Sequence, residues 1–195
     1  MNKLKYNSFL LIFLALVIVT RLLAGYFFGD TRLDNEWGKL FHNLQLTGVL
    51  GINVVKDEFL AAHEFAKIGD TVLPSVFMPP LYVFFIYFIN LIFGNSINLI
   101  TAIYSIQIIL CILSIYFLFK ILKKFENIKI SLLILIIFSF YPIYVFSNTQ
   151  ISSVTLQIFL LICFLYFILE LVNKKKLKDV FLFSIISGLL ILIRG

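Results

Sequence analysis

The sequence predicts an all-α, polytopic membrane protein, and three observations support this fold class. Of the 195 residues, 62% are hydrophobic and 13% are charged, whereas soluble domains are roughly 45–50% apolar. Apolar runs of the length that crosses a bilayer recur along the chain. The basic residues cluster in the short segments between these runs. These patterns exclude a soluble globular domain, and membrane orientation rather than nucleic-acid binding accounts for the net charge of +6.

Five apolar runs are predicted to be membrane-spanning helices of a single transmembrane domain over residues 1–195. They lie at about 8–28, 97–119, 130–146, 151–172 and 180–193. The first run is predicted to remain as an anchor rather than a cleaved signal peptide, because bulky Tyr26, Phe27 and Phe28 follow it instead of small residues. The last run stops at Arg194 and Gly195 inside an apolar helical pattern, so we expect this chain to be the N-terminal part of a longer protein.

A sixth apolar run, Leu81–Phe93, is shorter than a span and is predicted to lie along the membrane surface. If it does not cross, most lysines fall on the side of the N-terminus, which the positive-inside rule makes cytoplasmic. These are Lys3, Lys5, Lys120, Lys123, Lys124, Lys129, Lys174, Lys175, Lys176 and Lys178. Residues 29–96 then form a long loop outside the membrane, and four further spans follow it.

Two amphipathic helices are predicted within this outer loop. From Asp34 to Leu46 the apolar residues recur at helical spacing, and Gly48 is a suitable stop. A second helical pattern runs over residues 57–68. Pro79 and Pro80 are then predicted to interrupt helical structure before the surface helix, because residues that precede prolines favour extended backbone.

An acidic cluster at the start of the first loop helix permits two interpretations. Asp30, Asp34 and Glu36 could stabilise the helix N-terminus through its dipole. Alternatively, one of these carboxylates is held at the mouth of a membrane cavity and acts as a base. His42 and His63 lie on separate helical patterns and fall short of a zinc signature. Cys111 and Cys163 stand alone in apolar runs and indicate neither a disulfide nor a metal site.

The order of these features resembles the GT-C membrane glycosyltransferases. The similarity is to the bacterial branch related to protein O-mannosyltransferases and the lipid A aminoarabinose transferase. It extends more weakly through Gly94 and the second span to the Gly188–Arg194 run, which is similar to the family's fifth span. The residues that carry it are Asp34, Asn35, Glu36, Trp37, Asn43, Leu44, Thr47, Gly48, Pro79, Pro80, Leu81 and Tyr82.

The resemblance implies a hexosyltransferase of the bacterial plasma membrane. Such an enzyme moves a sugar from a polyprenyl-phosphate carrier to a hydroxyl of a lipid, glycan or protein, with inversion, on the non-cytoplasmic face. Asp34 matches the family's catalytic position and would be the base. Glu36, Tyr82, Gln150 and Arg194 would bind substrate, with Arg194 at the carrier phosphate and Glu36 as the fallback base. No cofactor is implied, because the lipid-linked sugar is a substrate.

One departure from the family pattern concerns a second acidic residue just outside the third span. Residues 147–155 contain no carboxylate, and Val154 stands at the matching position. Gln150 and Ser153 are weaker polar substitutes, so we expect no bound metal. Arg21, within the first span, is expected to snorkel to the interface or to pair between helices rather than to bind phosphate.

Two alternatives to an active enzyme stay open at this point. The chain could be a non-catalytic membrane protein, either a transporter segment or a partner subunit, and the missing second carboxylate favours that interpretation. It could also be an inactive fragment of the enzyme. Transporters carry ionisable groups along a midplane pathway, whereas nearly all acids here lie in one outer loop, which favours chemistry at the membrane surface.

Overall fold

The computed structural model describes residues 3–53, 72–74, 78–94, 97–174 and 177–194. Within these ranges the chain is almost entirely helical, and the predicted all-α polytopic fold class is confirmed. The elements are α1 (Lys3–Phe28), α2 (Glu36–Thr47), β1 (Gly51–Asn53), β2 (Val72–Pro74), α3 (Pro80–Phe93), α4 (Leu99–Phe125), α5 (Ile128–Ser139), α6 (Pro142–Ser147), α7 (Val154–Lys174) and α8 (Leu177–Arg194).

Three of the described helices are long and apolar enough to cross a membrane: Leu10–Phe28, Leu99–Phe125 and Val154–Asn173. Helices α3 and α5 are apolar but shorter. Helix α8 has 18 residues and a mostly apolar sequence. Large apolar side chains are exposed along these helices, as expected where lipid rather than water surrounds them.

The third predicted span is broken in the structure. The sequence predicts one helix over 130–146, whereas α5 ends at Ser139 and α6 begins at Pro142. Proline has no backbone N–H and its ring clashes with the preceding helical turn, so it is accepted at the first position of a new helix. Tyr141 accordingly has an extended backbone, with φ −62° and ψ 122°.

The loop after α1 contains the predicted helix α2 and a short ribbon that the sequence did not indicate. Gly48 ends α2 in the left-handed conformation, with φ 72°, as its glycine stop predicts. Strands β1 and β2 pair antiparallel, with Gly51 opposite Pro74. Asn43 Nδ2 donates to Gly51 O at 2.9 Å, which ties the ribbon to α2. The helical pattern over 57–68, with His63, lies outside the described residues.

The loop elements pack onto one end of the bundle through α3. Helix α3 contacts α2, α4 and α8, while α7 packs along both α4 and α8. A buried apolar cluster joins all five of these helices, and its members include Leu40, Phe41, Tyr82, Ile86, Ile103, Leu160 and Ile193. The predicted surface helix therefore has one buried face, which fixes the outer loop on the bundle.

The two ends of the bundle can be told apart by their contacts. At one end, which we call the loop side, Asp30 N donates to Thr149 O at 3.2 Å, and Arg194 donates to Gln157. At the other end, which we call the lysine side, Lys124 pairs with Glu170. The contacts place the long loop and the α6–α7 connection together, as the predicted topology requires.

Candidate active site

An open pocket of about 600 Å³ lies on the loop side, between the start of α2 and the start of α4. The Asp34 side chain is exposed and contributes to its wall. Gly38 lies so close to Leu33 O that a Cβ at this position would clash with that backbone atom. The segment carrying Asp34 therefore packs closely against the first turn of α2. The pocket is lined by Leu33, Asp34, Gly38, Lys39, Phe41, His42 and Leu99.

The cap of α2 is Asn35 rather than one of the neighbouring carboxylates. Asn35 has an extended backbone, and its Oδ1 accepts a hydrogen bond from Gly38 N at 3.0 Å. This is the usual geometry of an N-cap. Asp34 lies outside the helix, and Glu36 is its exposed first residue. Asp34 is therefore not the cap of α2, because the neighbouring Asn35 amide performs that role.

Asp30 has a structural role in the same loop. Its Oδ2 accepts from Ile151 N at 2.8 Å, and its backbone N donates to Thr149 O. The Tyr104 hydroxyl donates to Asp30 O at 2.6 Å. Asp30 thus joins the end of α1 to the α6–α7 connection and to α4, and its carboxylate already satisfies a backbone donor.

Residues 149–152, which we call the anchor segment, hold the acidic loop in place. Asn35 Nδ2 donates to Ile151 O at 2.8 Å, so Ile151 is bound through its N–H by Asp30 and through its carbonyl by Asn35. Gln150 Nε2 donates to Phe28 O at 2.8 Å. The anchor segment lies within residues 147–155, the stretch where the resemblance implies a second carboxylate and this chain has none. It binds the loop through backbone and amide groups.

Tyr82 on α3 and Gln107 on α4 support the anchor segment through hydrogen bonds. Gln107 Nε2 donates to the Tyr82 hydroxyl at 3.1 Å and to Gln150 O at 3.2 Å. Tyr82 is fully buried and packs edge-on against Trp37, with ring centroids 5.1 Å apart. Burial, with smaller effects of Tyr104 and Asp30, raises the pKa of the Tyr82 hydroxyl, so this group stays protonated. Its burial favours a supporting role over direct substrate contact.

Sequence reasoning did not single out Gln107, although a signal for it exists. It is a lone amide inside an apolar span, and polar residues at such positions are commonly functional or interhelical. Its partners could not be identified, because they lie 25 and 43 positions away in the sequence. The structure shows that it joins α3, α4 and the anchor segment.

Arg194 lies on the loop side at the end of α8. Its side chain is exposed, and one guanidinium nitrogen donates to Gln157 Oε1 on α7 at 3.2 Å. The neighbouring Ile193 is buried in the cluster that includes α3. Asp30 and Asn35 bind the anchor segment, which includes Gln150, and Gln107 joins Tyr82 to it. Arg194 instead contacts α7 from the neighbouring helix α8.

Arg21 does not snorkel to the interface. It is 2% exposed, and its Nη2 donates to Ser139 O at 2.7 Å and its Nε to Cys111 Sγ at 2.9 Å. The guanidinium also lies 5.5 Å from the Tyr144 ring centroid. The structure therefore shows the expected interhelical pairing. Arg21 lies beside the end of α5, where the last carbonyls of that helix need hydrogen-bond donors.

Metal-ligating groups do not converge in the described ranges, where no three His, Cys, Asp or Glu side chains could hold one ion. His42 lines the pocket together with Asp34, and His63 lies outside these ranges. The pocket contains the exposed carboxylate of Asp34 together with Lys39 and His42 of α2. The start of α2 is held by the bond from Asn35 to the anchor segment.

Comparison with known proteins gives one finding. A model of the family described as dolichyl-phosphate-mannose-protein mannosyltransferase matches residues 78–195. The match begins just before α3, so it includes Tyr82, Gln107, Gln150 and Arg194 and leaves out the segment of Asp34. No curated protein and no solved structure gives a significant match.

Proposed function

The chain belongs to the dolichyl-phosphate-mannose-protein mannosyltransferase family of GT-C membrane glycosyltransferases, and from this premise we propose its reaction and its catalytic base. We propose that a sugar passes from a polyprenyl-phosphate carrier to an acceptor hydroxyl, with Asp34 as the base. The observation that carries the proposal is an exposed Asp34 carboxylate at an open pocket, on a loop bound to the bundle by Asp30 and Asn35.

The proposed reaction is a single displacement at the anomeric carbon. The acceptor oxygen forms the new bond to that carbon while the bond to the carrier phosphate breaks, and the configuration inverts. Asp34 takes the hydroxyl proton as the oxygen attacks, because an alcohol is a weak nucleophile until its proton leaves. The electron pair of the broken bond leaves with the polyprenyl phosphate.

The three acids of the loop differ in their suitability as the base. The Asp30 carboxylate accepts a backbone hydrogen bond within the anchor segment. Glu36 is on the first turn of α2 and does not line the pocket, whereas Asp34 does. A base must come within hydrogen-bond reach of the proton that it removes, and this requirement favours Asp34.

The leaving phosphate requires positive charge close to the reacting atoms. We propose Arg194 for this role, because it is exposed on the loop side and its helix packs against α3. We also propose that Gln150, whose amide donates to Phe28 O at the end of α1, contacts substrate. Tyr82 supports that position through Gln107. The acceptor is a lipid, glycan or protein, and we propose that the loop side is the outer face of a bacterial plasma membrane.

Comparing three variants with the same chemical change tests the assignment. Asp34→Asn, Asp30→Asn and Glu36→Gln each exchange a carboxylate for an amide of similar shape. The full-length protein is expressed in membranes and assayed for release of labelled sugar from polyprenyl-phosphate donors. Asp34→Asn is expected to reduce release by about 10² to 10⁴. Asp30→Asn keeps an oxygen that can accept from Ile151 N, so it and Glu36→Gln should retain most activity.

Membrane levels of the three variants serve as the control for folding. A loss confined to Asp34→Asn, with normal protein level, supports the proposal. Equal activity of Asp34→Asn and wild type would remove Asp34 as the base. A loss confined to Glu36→Gln would transfer the role to that residue.

A further inference from the structure

A second cavity, of about 250 Å³, lies between α1 and α4 at the depth of Arg21. We call it the α1–α4 groove. Arg21 is seven residues before the end of α1, which places it about 10 Å below that end. The groove is separate from the pocket of Asp34, because the two share no lining residue. It is lined by Arg21, Leu22, Gly25, Tyr26, Thr101, Tyr104, Ser105, Ile108, Asn148 and Thr149.

The groove carries a fixed positive charge. Arg21 forms no ion pair with an acidic side chain in the part of the chain that the structure describes. Its donors bind neutral groups, namely Val17 O, Thr20 Oγ1, Ser139 O and Cys111 Sγ. A guanidinium has five N–H donors, so one remains for a ligand. A charge held in apolar surroundings favours an anionic partner strongly.

Three further side chains of the groove, Asn148, Tyr104 and Ser105, have oxygens that can accept hydrogen bonds. Asn148 is 2% exposed, and its Oδ1 has no hydrogen-bond partner among the described residues. The Tyr104 hydroxyl already donates to Asp30 O, and the Ser105 hydroxyl donates to Thr101 O. Their oxygens can therefore only accept further bonds. A matching ligand combines an anion for Arg21 with hydroxyl donors for these oxygens.

The groove is open toward the lipid-facing surface. Tyr26 is 83% exposed and Leu22 is 57% exposed on its α1 wall. A Cβ added to Gly25 would meet no atom within 4 Å, so a glycine here leaves space that a ligand can enter. The volume corresponds to about eight water molecules at roughly 30 Å³ each, which suffices for a phosphate with a short polyol.

We propose that the α1–α4 groove binds a membrane phospholipid with an anionic, hydroxyl-bearing headgroup of the phosphatidylglycerol kind. The phosphate pairs with Arg21, the headgroup hydroxyls donate to Asn148 Oδ1 and the Tyr104 and Ser105 oxygens, and the acyl chains lie along α1 and α4 in the bilayer. This site is independent of the proposed sugar transfer, since it requires neither Asp34 nor a sugar donor.

Gly25→Leu tests the proposal, because the added side chain starts on the groove wall from a Cβ that meets no atom within 4 Å. Gly188→Leu is the matched control, since a Cβ there also meets nothing within 4 Å and it lies on α8, away from the groove. Ser105→Val narrows the opposite wall and serves as a second blocking variant. The full chain is purified from nanodiscs of phosphatidylcholine that contain equal minor amounts of phosphatidylglycerol and phosphatidylethanolamine, and native mass spectrometry counts the retained lipids.

Wild type and Gly188→Leu are expected to retain phosphatidylglycerol in preference to both other lipids. Gly25→Leu and Ser105→Val should reduce that retention by about fivefold to thirtyfold, the range for one or two intramembrane polar contacts. Thermal unfolding of all four proteins verifies their folding. Equal retention of the three lipids by wild type, or equal losses in Gly25→Leu and Gly188→Leu, would overturn the proposal. Displacement of phosphatidylglycerol by added polyprenyl phosphate at low molar ratio would assign the groove to the carrier instead.

Discussion

Asn35 performs two separable tasks with one side chain. Its oxygen caps α2 at Gly38 N, and its nitrogen holds Ile151 O. Aspartate keeps the capping oxygen but has no donor for the carbonyl. We predict that Asn35→Asp leaves the helix capped and lowers sugar transfer by about tenfold, because slight misplacement of a catalytic loop is costly. Steady-state kinetics of the full-length protein in membranes measures this effect.

Asn35→Ala serves as the comparison, since it removes both contacts. It should lose the transfer rate in the same way and in addition about 1 kcal/mol of stability from the missing cap. If Asn35→Asp transferred sugar at the wild-type rate, the bond to Ile151 O would have no role in positioning Asp34.

Arg21 stabilises the fold by binding a backbone carbonyl at the interruption between α5 and α6. Its Nη2 donates to Ser139 O, a carbonyl that the broken helix leaves without an intrahelical partner. We predict that Arg21→Met lowers the free energy of unfolding by about 1–3 kcal/mol, the cost of a buried unsatisfied acceptor. Unfolding in mixed detergent micelles with increasing denaturing detergent measures the change.

Arg21→Lys is the informative companion variant. Lysine keeps the charge but cannot reach Ser139 O and Cys111 together, because it lacks the planar fork of arginine. It should recover part of the stability at most. Full stability of Arg21→Met would contradict a structural role for this hydrogen-bond network.

At the scale of elements, the sequence predicts helices well where a periodic pattern and a clear stop coincide. Helix α2 follows from apolar spacing and ends at Gly48 as expected. The break before Pro142 was missed, because the apolar run of the third span continues through it without a change of composition. Hydropathy measures burial in lipid and does not detect the missing backbone donor of a proline.

The candidate site was only partly predictable from the sequence, for a related reason. Asp34 was identified through its resemblance to a family position, and its exposure at a pocket agrees with a catalytic role. The role of Asp30 was not identified, because its partner Ile151 is 121 positions away and the contact is to a backbone N–H. A backbone N–H is present at every residue except proline, so the sequence does not show which one binds Asp30. The anchor segment can therefore be recognised only from the folded structure.

The pairing of α4 and α7 gives an element-scale prediction on the lysine side. Lys124 Nζ lies 2.5 Å from Glu170 Oε1, and the Glu170 side chain is 8% exposed. We predict that Glu170→Gln lowers the unfolding free energy by about 1 kcal/mol, because Lys124, whose side chain is 28% exposed, loses its charged partner. Detergent unfolding of Glu170→Gln, Lys124→Met and the double variant measures the coupling energy. Additive effects of the two single changes would show that the pair does not join the helices.

At the scale of the whole molecule, the two ends of the bundle are built differently. The loop side is held by hydrogen bonds of the anchor segment with Asn35, Gln107 and the Asp30 carboxylate. The lysine side carries Lys120, Lys123 and Lys124, whose ammonium groups lie over aromatic rings or beside Glu170. Aromatic rings and lysines together suit the interface with anionic headgroups. This asymmetry supports one orientation of the chain in the membrane.

That orientation can be tested with membrane-impermeant thiol reagents. Glu36 and Lys178 are both exposed and lie at opposite ends of the bundle, whereas the native Cys111 and Cys163 are buried. If the lysine side is cytoplasmic, Glu36→Cys is labelled in intact cells and Lys178→Cys only after the membrane is opened. The unmodified chain, which should stay unlabelled in both conditions, is the control. Labelling of Lys178→Cys in intact cells, with Glu36→Cys protected, would invert the topology and would place the Asp34 pocket, together with the proposed sugar transfer, on the cytoplasmic face.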